Sequence, residues 1–184
     1  TGGIFHDQLK AVKLLRKTID KKIHIYVKEH PSQFHIKDMP LDGFYYKNLD
    51  FYNKLKKLEN IELLNTDINS HTLIKNALAT CTISSTAGWE SLMVGKKSIV
   101  FSNSWYSAHN NCLVVSDTKI KTQNDIKFFL NKNISKKKLQ KENIKFINNL
   151  GKKFLYGDLW PKLHSPKNLK KMKKNFFDKL AEII

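Results

Sequence analysis

The stretch Thr80-Cys81-Thr82-Ile83-Ser84-Ser85-Thr86-Ala87-Gly88-Trp89-Glu90-Ser91-Leu92-Met93-Val94-Gly95-Lys96-Lys97-Ser98-Ile99-Val100-Phe101-Ser102 decides the fold. Residues 80–84 are mostly β-branched or small and read as a strand. Ser85-Thr86-Ala87-Gly88 is a small, polar turn, followed by a helix over 88–94. Gly95 stops that helix, because glycine enters the left-handed conformation without steric cost. Ser98 to Ser102 is then a second strand. Two strands joined through a helix form a βαβ unit, and its strands run parallel.

The same alternation extends outward. Leu9, Val12, Leu15 and Ile19 recur at near-helical spacing within residues 6–20. Ile23-His24-Ile25-Tyr26-Val27-Lys28 alternates like a strand and stops at Glu29-His30-Pro31, where proline removes a donor and extends the residue before it. An irregular segment over 32–48, with Pro40, Gly43 and Phe44-Tyr45-Tyr46, leads to a helix at 49–58 and a strand at 61–64. Ser70 is the expected cap of a helix carrying Leu73, Ile74, Ala77 and Leu78. Residues 112–115 make a further strand. Beyond 120 the pattern is helical, over 123–131, 135–150 and 166–182, the last with Ser165 as cap and Pro166 at its first position. The expected class is α/β, a Rossmann-like and mostly parallel sheet followed by C-terminal helices.

Charge separates the chain into two regions. Of 184 residues, 33 are Lys or Arg and 16 are Asp or Glu, giving +17. Residues 1–118 hold 15 basic and 11 acidic groups, whereas 119–184 hold 18 and 5. We therefore expect an ordinary globular, Rossmann-like region over 1–118 and a Lys-rich helical region over 119–184 that packs on the same domain. So large an excess first suggests nucleic acid. But Arg16 is the only arginine, and base readers and phosphate clamps favour the bidentate fork of arginine. Nucleic acid is thus not the expected partner. The lysines suit either an anionic membrane surface or a plain solvated helix face.

Other chemistries find no support. There is no Walker loop and no Gly-x-Gly-x-x-Gly. His and Cys lack zinc spacing, so no metal is expected. No nucleophile elbow stands out. No apolar run approaches the roughly 20 residues of a membrane span. Cys81 and Cys112 do not resemble a disulfide framework, which makes the cytoplasm the expected compartment, with peripheral contact at the inner membrane. The chain opens on Thr1-Gly2-Gly3 without Met, and we expect it to start inside a longer protein whose first strand is not included.

Ligands of open parallel sheets sit beyond the carboxyl ends of the strands. His30-Pro31 falls at one such end, with a proline-held imidazole able to donate to a phosphate. Ser84-Ser85-Thr86-Ala87-Gly88-Trp89-Glu90 falls at another. There hydroxyls and free amides would meet the positive end of a helix, Gly88 would let a ligand approach the backbone, and Glu90 could accept a ribose hydroxyl. Simple helix capping accounts for Ser85 and Thr86 equally well. Thr1-Gly2-Gly3, with His6 and Asp7 behind it, is a third loop of the same kind.

Taken together, these residues resemble a family. Gly2-Gly3-Ile4-Phe5 with Asp7-Gln8, Tyr26 to Phe34 with Lys28 and His30-Pro31, Thr82 to Glu90, Gly95-Lys96-Lys97 and Trp105-Tyr106 look like bacterial capsule and surface polysaccharide glycosyltransferases. The resemblance covers residues 2–115. It implies a GT-B architecture, of which this chain would be the C-terminal, nucleotide-sugar-binding domain. The two central motifs also resemble those of bacterial sialyltransferases and Kdo transferases, which implies a CMP-sugar donor; a UDP-sugar is the alternative. Carried over, His30 with Ser84, Ser85 and Thr86 would hold the donor phosphate, and Glu90 would face the ribose. Gly2, Gly3, Lys28, Pro31 and Gly88 would complete the donor loops. Ser84-Ser85-Thr86 departs from the family's Thr-Gly-Thr, which adds a side chain near the phosphate. The segment 35–48 lacks the expected arginine, leaving Lys37 or Lys47 as point charges. His30 is the candidate for leaving-group stabilisation, and removing one such donor typically costs roughly 2.7–4 kcal/mol. The general base would belong to an acceptor domain outside this chain, which alone would bind donor without turnover. A basic binding module, or a domain that keeps the fold without the site, are the readings from other classes.

Overall fold

Gly2 and Gly3 take φ values of 106° and 51° and lead into a 3-10 turn, Gly3–His6. Asp7 then caps α1 (Gln8–Thr18), its carboxylate accepting from the Leu9 amide at 3.1 Å. The structure, a computed structural model, describes residues 2–30 and 48–151. The chain divides into two units, residues 1–143 and 144–184. Residues 31–47, which hold Pro31, Lys37 and Lys47 and all but the last residue of the expected irregular segment 32–48, and the expected helix 166–182 lie outside the described residues.

Element order is β1 (Ile25–Lys28), α2 (Leu49–Lys56), β2 (Ile61–Leu64), α3 (Ser70–Asn76), β3 (Ala79–Thr82), α4 (Ala87–Met93), β4 (Lys97–Val100), β5 (Cys112–Val114), α5 (Ile120–Asn131) and α6 (Lys136–Gly151). Every strand pair is parallel, with Ile25 opposite Ile61, Ala79 opposite Lys97, and Ser98 opposite Cys112. The α/β, Rossmann-like reading holds. The expectation of one sheet is refined: β1 and β2 form one sheet, and β3-β4-β5 another. The outer edges of β1 and β3 pair with no strand among the described residues. Burial follows from this. Ser98, Ile99 and Val100 of the central β4 are fully buried, whereas Tyr26 on β1 is 56% exposed.

The main core joins Phe5, Leu14 and Leu15 beneath α1 to Ile99, Phe101 and Val115, and to Ile126 and Phe129 of α5. Ile25 and Ile83 pack against the same cluster. α5 is therefore held by the sheet region, although it belongs to the lysine-rich last third of the chain. A smaller cluster seats Leu9, Phe51 and Leu55 with Val27 and Leu63. Arg16, the single arginine, is spent on the backbone. Its guanidinium donates to the carbonyls of Ile23 at 2.8 Å, Ile19 at 3.1 Å and Asp20 at 2.5 Å, closing the end of α1 onto the approach to β1.

Several boundaries differ from expectation for local reasons. Asn69, not Ser70, caps α3, its side chain accepting from the Thr72 amide at 3.1 Å. β3 ends at Thr82 because the Ser85 amide turns back onto the Thr82 hydroxyl at 3.1 Å. α5 starts at 120 because the Asp117 carboxylate gathers the Lys119 amide and the Thr122 hydroxyl just ahead of it. Gly95 ends α4 as expected, with φ of 83° and the Lys96 amide reaching back to Ser91.

A polar set fastens α6. His109, 2% exposed, accepts the Asn111 amide at Nδ1 (3.0 Å), so Nε2 carries the proton and donates to Asn143 at 2.9 Å. Asn143 in turn donates to the Leu92 carbonyl at 2.9 Å, and Asn110 donates to Glu142 at 2.5 Å. Burial holds the His109 pKa below its ordinary 6.5, against the opposing effects of Asn143 and Glu142. In the unfolded chain this histidine binds a proton more readily than in the folded one. The stability it contributes is therefore complete above about pH 6.5 and is lost as pH falls toward the folded value. Urea unfolding should show the midpoint dropping on acidification through this range. His109→Gln should be less stable at neutral pH and lack that part of the slope; an unchanged slope would contradict the assignment.

Candidate functional site

The turn after β3 is built by its own polar groups. The Ser85 carbonyl accepts the Tyr106 hydroxyl at 2.5 Å and the Gly88 amide at 3.2 Å, while the Ser85 hydroxyl accepts the Ala87 amide at 3.2 Å. Two amides at the start of α4 are thus already satisfied, so the expectation of free amides here is corrected. What the turn offers outward is hydroxyls. Ser84, Ser85 and Thr86 are all exposed. Ser84 makes no hydrogen bond to a described residue, and the Ser85 hydroxyl, accepting from Ala87, still has a proton to donate. Thr86 lies 3.4 Å from the exposed carboxylate of Glu90, one turn along α4.

Gly88 behaves differently from expectation. It is buried, and a Cβ there would lie 2.4 Å from the Tyr106 hydroxyl and 2.7 Å from the Ser98 Oγ. The close approach that glycine permits is made by Tyr106, not by a ligand. Tyr106 is itself fully buried, and its pKa is raised by burial. Around it Trp89 and Trp105 meet with ring centroids 4.6 Å apart, and Trp105 stands edge-on to Tyr106 at 5.3 Å. Trp89 is half-buried and Trp105 45% exposed, so an aromatic wall adjoins the hydroxyl turn.

The Gly2-Gly3 loop comes to the same place. A Cβ on the buried Gly2 would lie 3.2 Å from Ile83 Cγ2, directly after β3. Gly3 is exposed with open space above it. His6 folds back so that its Nδ1 is 2.9 Å from the Gly3 carbonyl, and Asp7 is engaged in capping α1. The structure therefore brings Gly2 beside Ile83, the residue that precedes the Ser84–Glu90 turn. Lys28, half-buried, and His30, exposed, stand at the carboxyl end of β1, in the other sheet. Pro31 lies outside the described residues.

Sequence reasoning missed two supports. Glu29 is 8% exposed and hydrogen-bonds the Tyr52 hydroxyl, whose pKa is raised by burial and by the Glu29 charge. This pins the end of β1, next to His30, onto α2. Tyr106 is the other support; its place beside Trp105 in sequence was visible, but its seat over Gly88 depends on the fold. Among the described residues no group of three His, Cys, Asp or Glu side chains is placed to hold a metal ion, and no helix is long and apolar enough to cross a membrane.

Comparison with known proteins adds one match: the family model described as capsule polysaccharide biosynthesis protein fits residues 8–145. No curated protein and no solved structure matches the chain.

The packing over Gly88 is open to test by denaturation. Gly88→Ala should cost about 1–3 kcal/mol through overlap with Tyr106. Tyr106→Phe should cost about 1 kcal/mol by leaving the Ser85 carbonyl short of a donor. Wild-type stability in both would show that Tyr106 does not sit over the glycine.

Proposed function

Because the chain belongs to the capsule polysaccharide biosynthesis family, we propose that it is the donor-binding part of a GT-B glycosyltransferase that takes a nucleotide-activated sugar. The observation that carries this reading is the turn at the carboxyl end of β3, where three exposed hydroxyls and Glu90 follow Ile83, the residue beside which Gly2 sits, next to an aromatic wall. Hydroxyls of Ser84, Ser85 and Thr86 would donate to the phosphate, and His30 with Lys28 would approach it from β1. As the nucleotide leaves, charge grows on a phosphate oxygen, and donors already in place stabilise it without reorganising. Glu90 would accept the ribose hydroxyls. A CMP-activated acidic sugar, Kdo or sialic-acid-like, is the proposed donor, with a UDP-sugar as the alternative.

Transfer needs an acceptor site and a general base, which this reading assigns to a partner domain. It also assigns a further parallel strand to the free edges of β1 and β3. A strand there would hand over to α1 at Gly2, which lies at the end of β3 where such a strand would finish.

Thermal-shift and calorimetric titration of CMP, UDP, GDP and their sugars test the donor class, since a ligand of the folded state raises stability by mass action. We expect CMP compounds to stabilise the chain selectively. His30→Ala and Thr86→Ala should each weaken nucleotide binding about tenfold or more, the scale of a hydrogen bond to a charged group. Wild-type affinity in both variants would remove the site assignment.

A second reading concerns the basic surface and rests on Lys137, Lys138 and Lys141, all exposed on α6. They suit an anionic membrane, where each lysine contributes about 1 kcal/mol. Truncation cannot test it, because Ile126, Phe129 and Leu139 are core residues. Reversal of the three lysines to Glu should abolish salt-sensitive binding to phosphatidylserine vesicles; unaltered binding would refute a membrane role.

A further inference from the structure

α5 has one side in the core and one in water. Ile126 and Phe129 are buried in the main cluster, with Leu130 packed against it. Ile120, Asn124 and Phe128, each four residues from the last, line up on the opposite side of the helix. All three are exposed, Ile120 at 77% and Phe128 at 76%. The two apolar side chains lie about 12 Å apart along the axis at roughly 1.5 Å per residue. Lys121 and Lys127, both exposed, stand one on each side of this line. Asp125, the one acidic residue of α5, is turned about a quarter of a circle away from Asn124.

Phenylalanine and isoleucine are among the side chains most often buried, and a single exposed one needs no explanation. Here two share one line, and the rotation of the helix is fixed. Burial of Ile126 and Phe129 on one side holds Ile120 and Phe128 outward on the other. Charge decides what can cover them. A second copy would bring lysine against lysine, at +17 on each chain. A nucleic acid would satisfy the lysines but set phosphates on two apolar side chains. An anionic bilayer suits both kinds of residue. Its headgroups attract the ammonium groups, and its acyl boundary takes apolar side chains out of water.

We propose that α5 is an interfacial membrane contact, lying along an anionic bilayer with Ile120 and Phe128 at the acyl boundary and Lys121 and Lys127 among the headgroups. This assignment rests on the membrane reading of the basic surface and adds to it a part that carries no charge. Lysines on α6 alone make attachment wholly salt-sensitive. Phe128 and Ile120 give it a component that survives added salt, because withdrawal of apolar surface from water is not screened.

The test uses the whole chain and phosphatidylcholine vesicles with or without phosphatidylserine. Vesicles with phosphatidylserine should bind, and part of that binding should persist at high salt. Phe128→Ser should weaken it about tenfold or more, the scale of exposing one aromatic side chain, and Ile120→Ser somewhat less. Thermal stability should be unchanged in both variants, since neither side chain is in the core. In Phe128→Trp, vesicles should shift the added emission to the blue, and brominated acyl chains should quench it beyond any change in wild type. Wild-type affinity in both serine variants, with binding abolished by reversal of the α6 lysines, would remove the α5 contact and leave the α6 reading standing. No vesicle binding by the wild-type chain would remove both. An added indole that brominated chains do not quench would overturn the proposal. So would a dimer of the chain that Phe128→Ser dissociates, since the face would then belong to a second copy.

Discussion

The structure depends on one contact, the Tyr106 hydroxyl seated over Gly88 and bonded to the Ser85 carbonyl. That bond holds the last turn of the β3–α4 connection to the segment between β4 and β5. It fixes where the Ser84–Thr86 hydroxyls emerge, because Ser85 accepts the Tyr106 proton on one atom and the Ala87 amide on another. Any side chain at position 88 would meet Tyr106 and Ser98, both buried. The fold and the candidate site are therefore not separable here. The same glycine that lets the core close also aims the turn outward.

Much of the architecture could be read from the order of residues. The βαβ grammar, the break at Gly95 and the strand before His30 all follow from side-chain type and spacing, and these are local properties. The ends of elements were less legible, because short side chains compete for the same amides. Asn69 wins over Ser70, and Thr82 draws the Ser85 amide away from the ladder. Gly88 is the instructive case. Its absent side chain was visible, but whether a ligand or a tyrosine fills the space depends on a residue 18 positions away. Glu29 was hidden similarly, as its partner Tyr52 comes from another element.

Charge, too, changes meaning once placed. The single arginine serves as a clasp on backbone carbonyls, so guanidinium chemistry is absent from the exposed basic surface of the described residues. Among the described residues, Lys137, Lys138 and Lys141 are exposed on α6, and Lys96, Lys97 and Lys132 line a cleft at the amino ends of β3, β4 and β5. The hydroxyl turn at the other end of β3 contains no lysine. The sheet thus separates two kinds of polar surface, one hydroxyl-rich with the Glu90 carboxylate, the other cationic.

Where no further strand covers them, the edges of β1 and β3, unpaired among the described residues, have a colloidal consequence. A row of unpaired amides and carbonyls along a parallel strand is a template on which another copy can add. Natural sheets guard such edges with charge, and here the guard is global. At +17 each molecule repels its neighbours over a screening length of roughly 8 Å at physiological salt. The same lysine excess would keep such edges of separate copies apart in dilute salt, and would give up that protection as ionic strength rises.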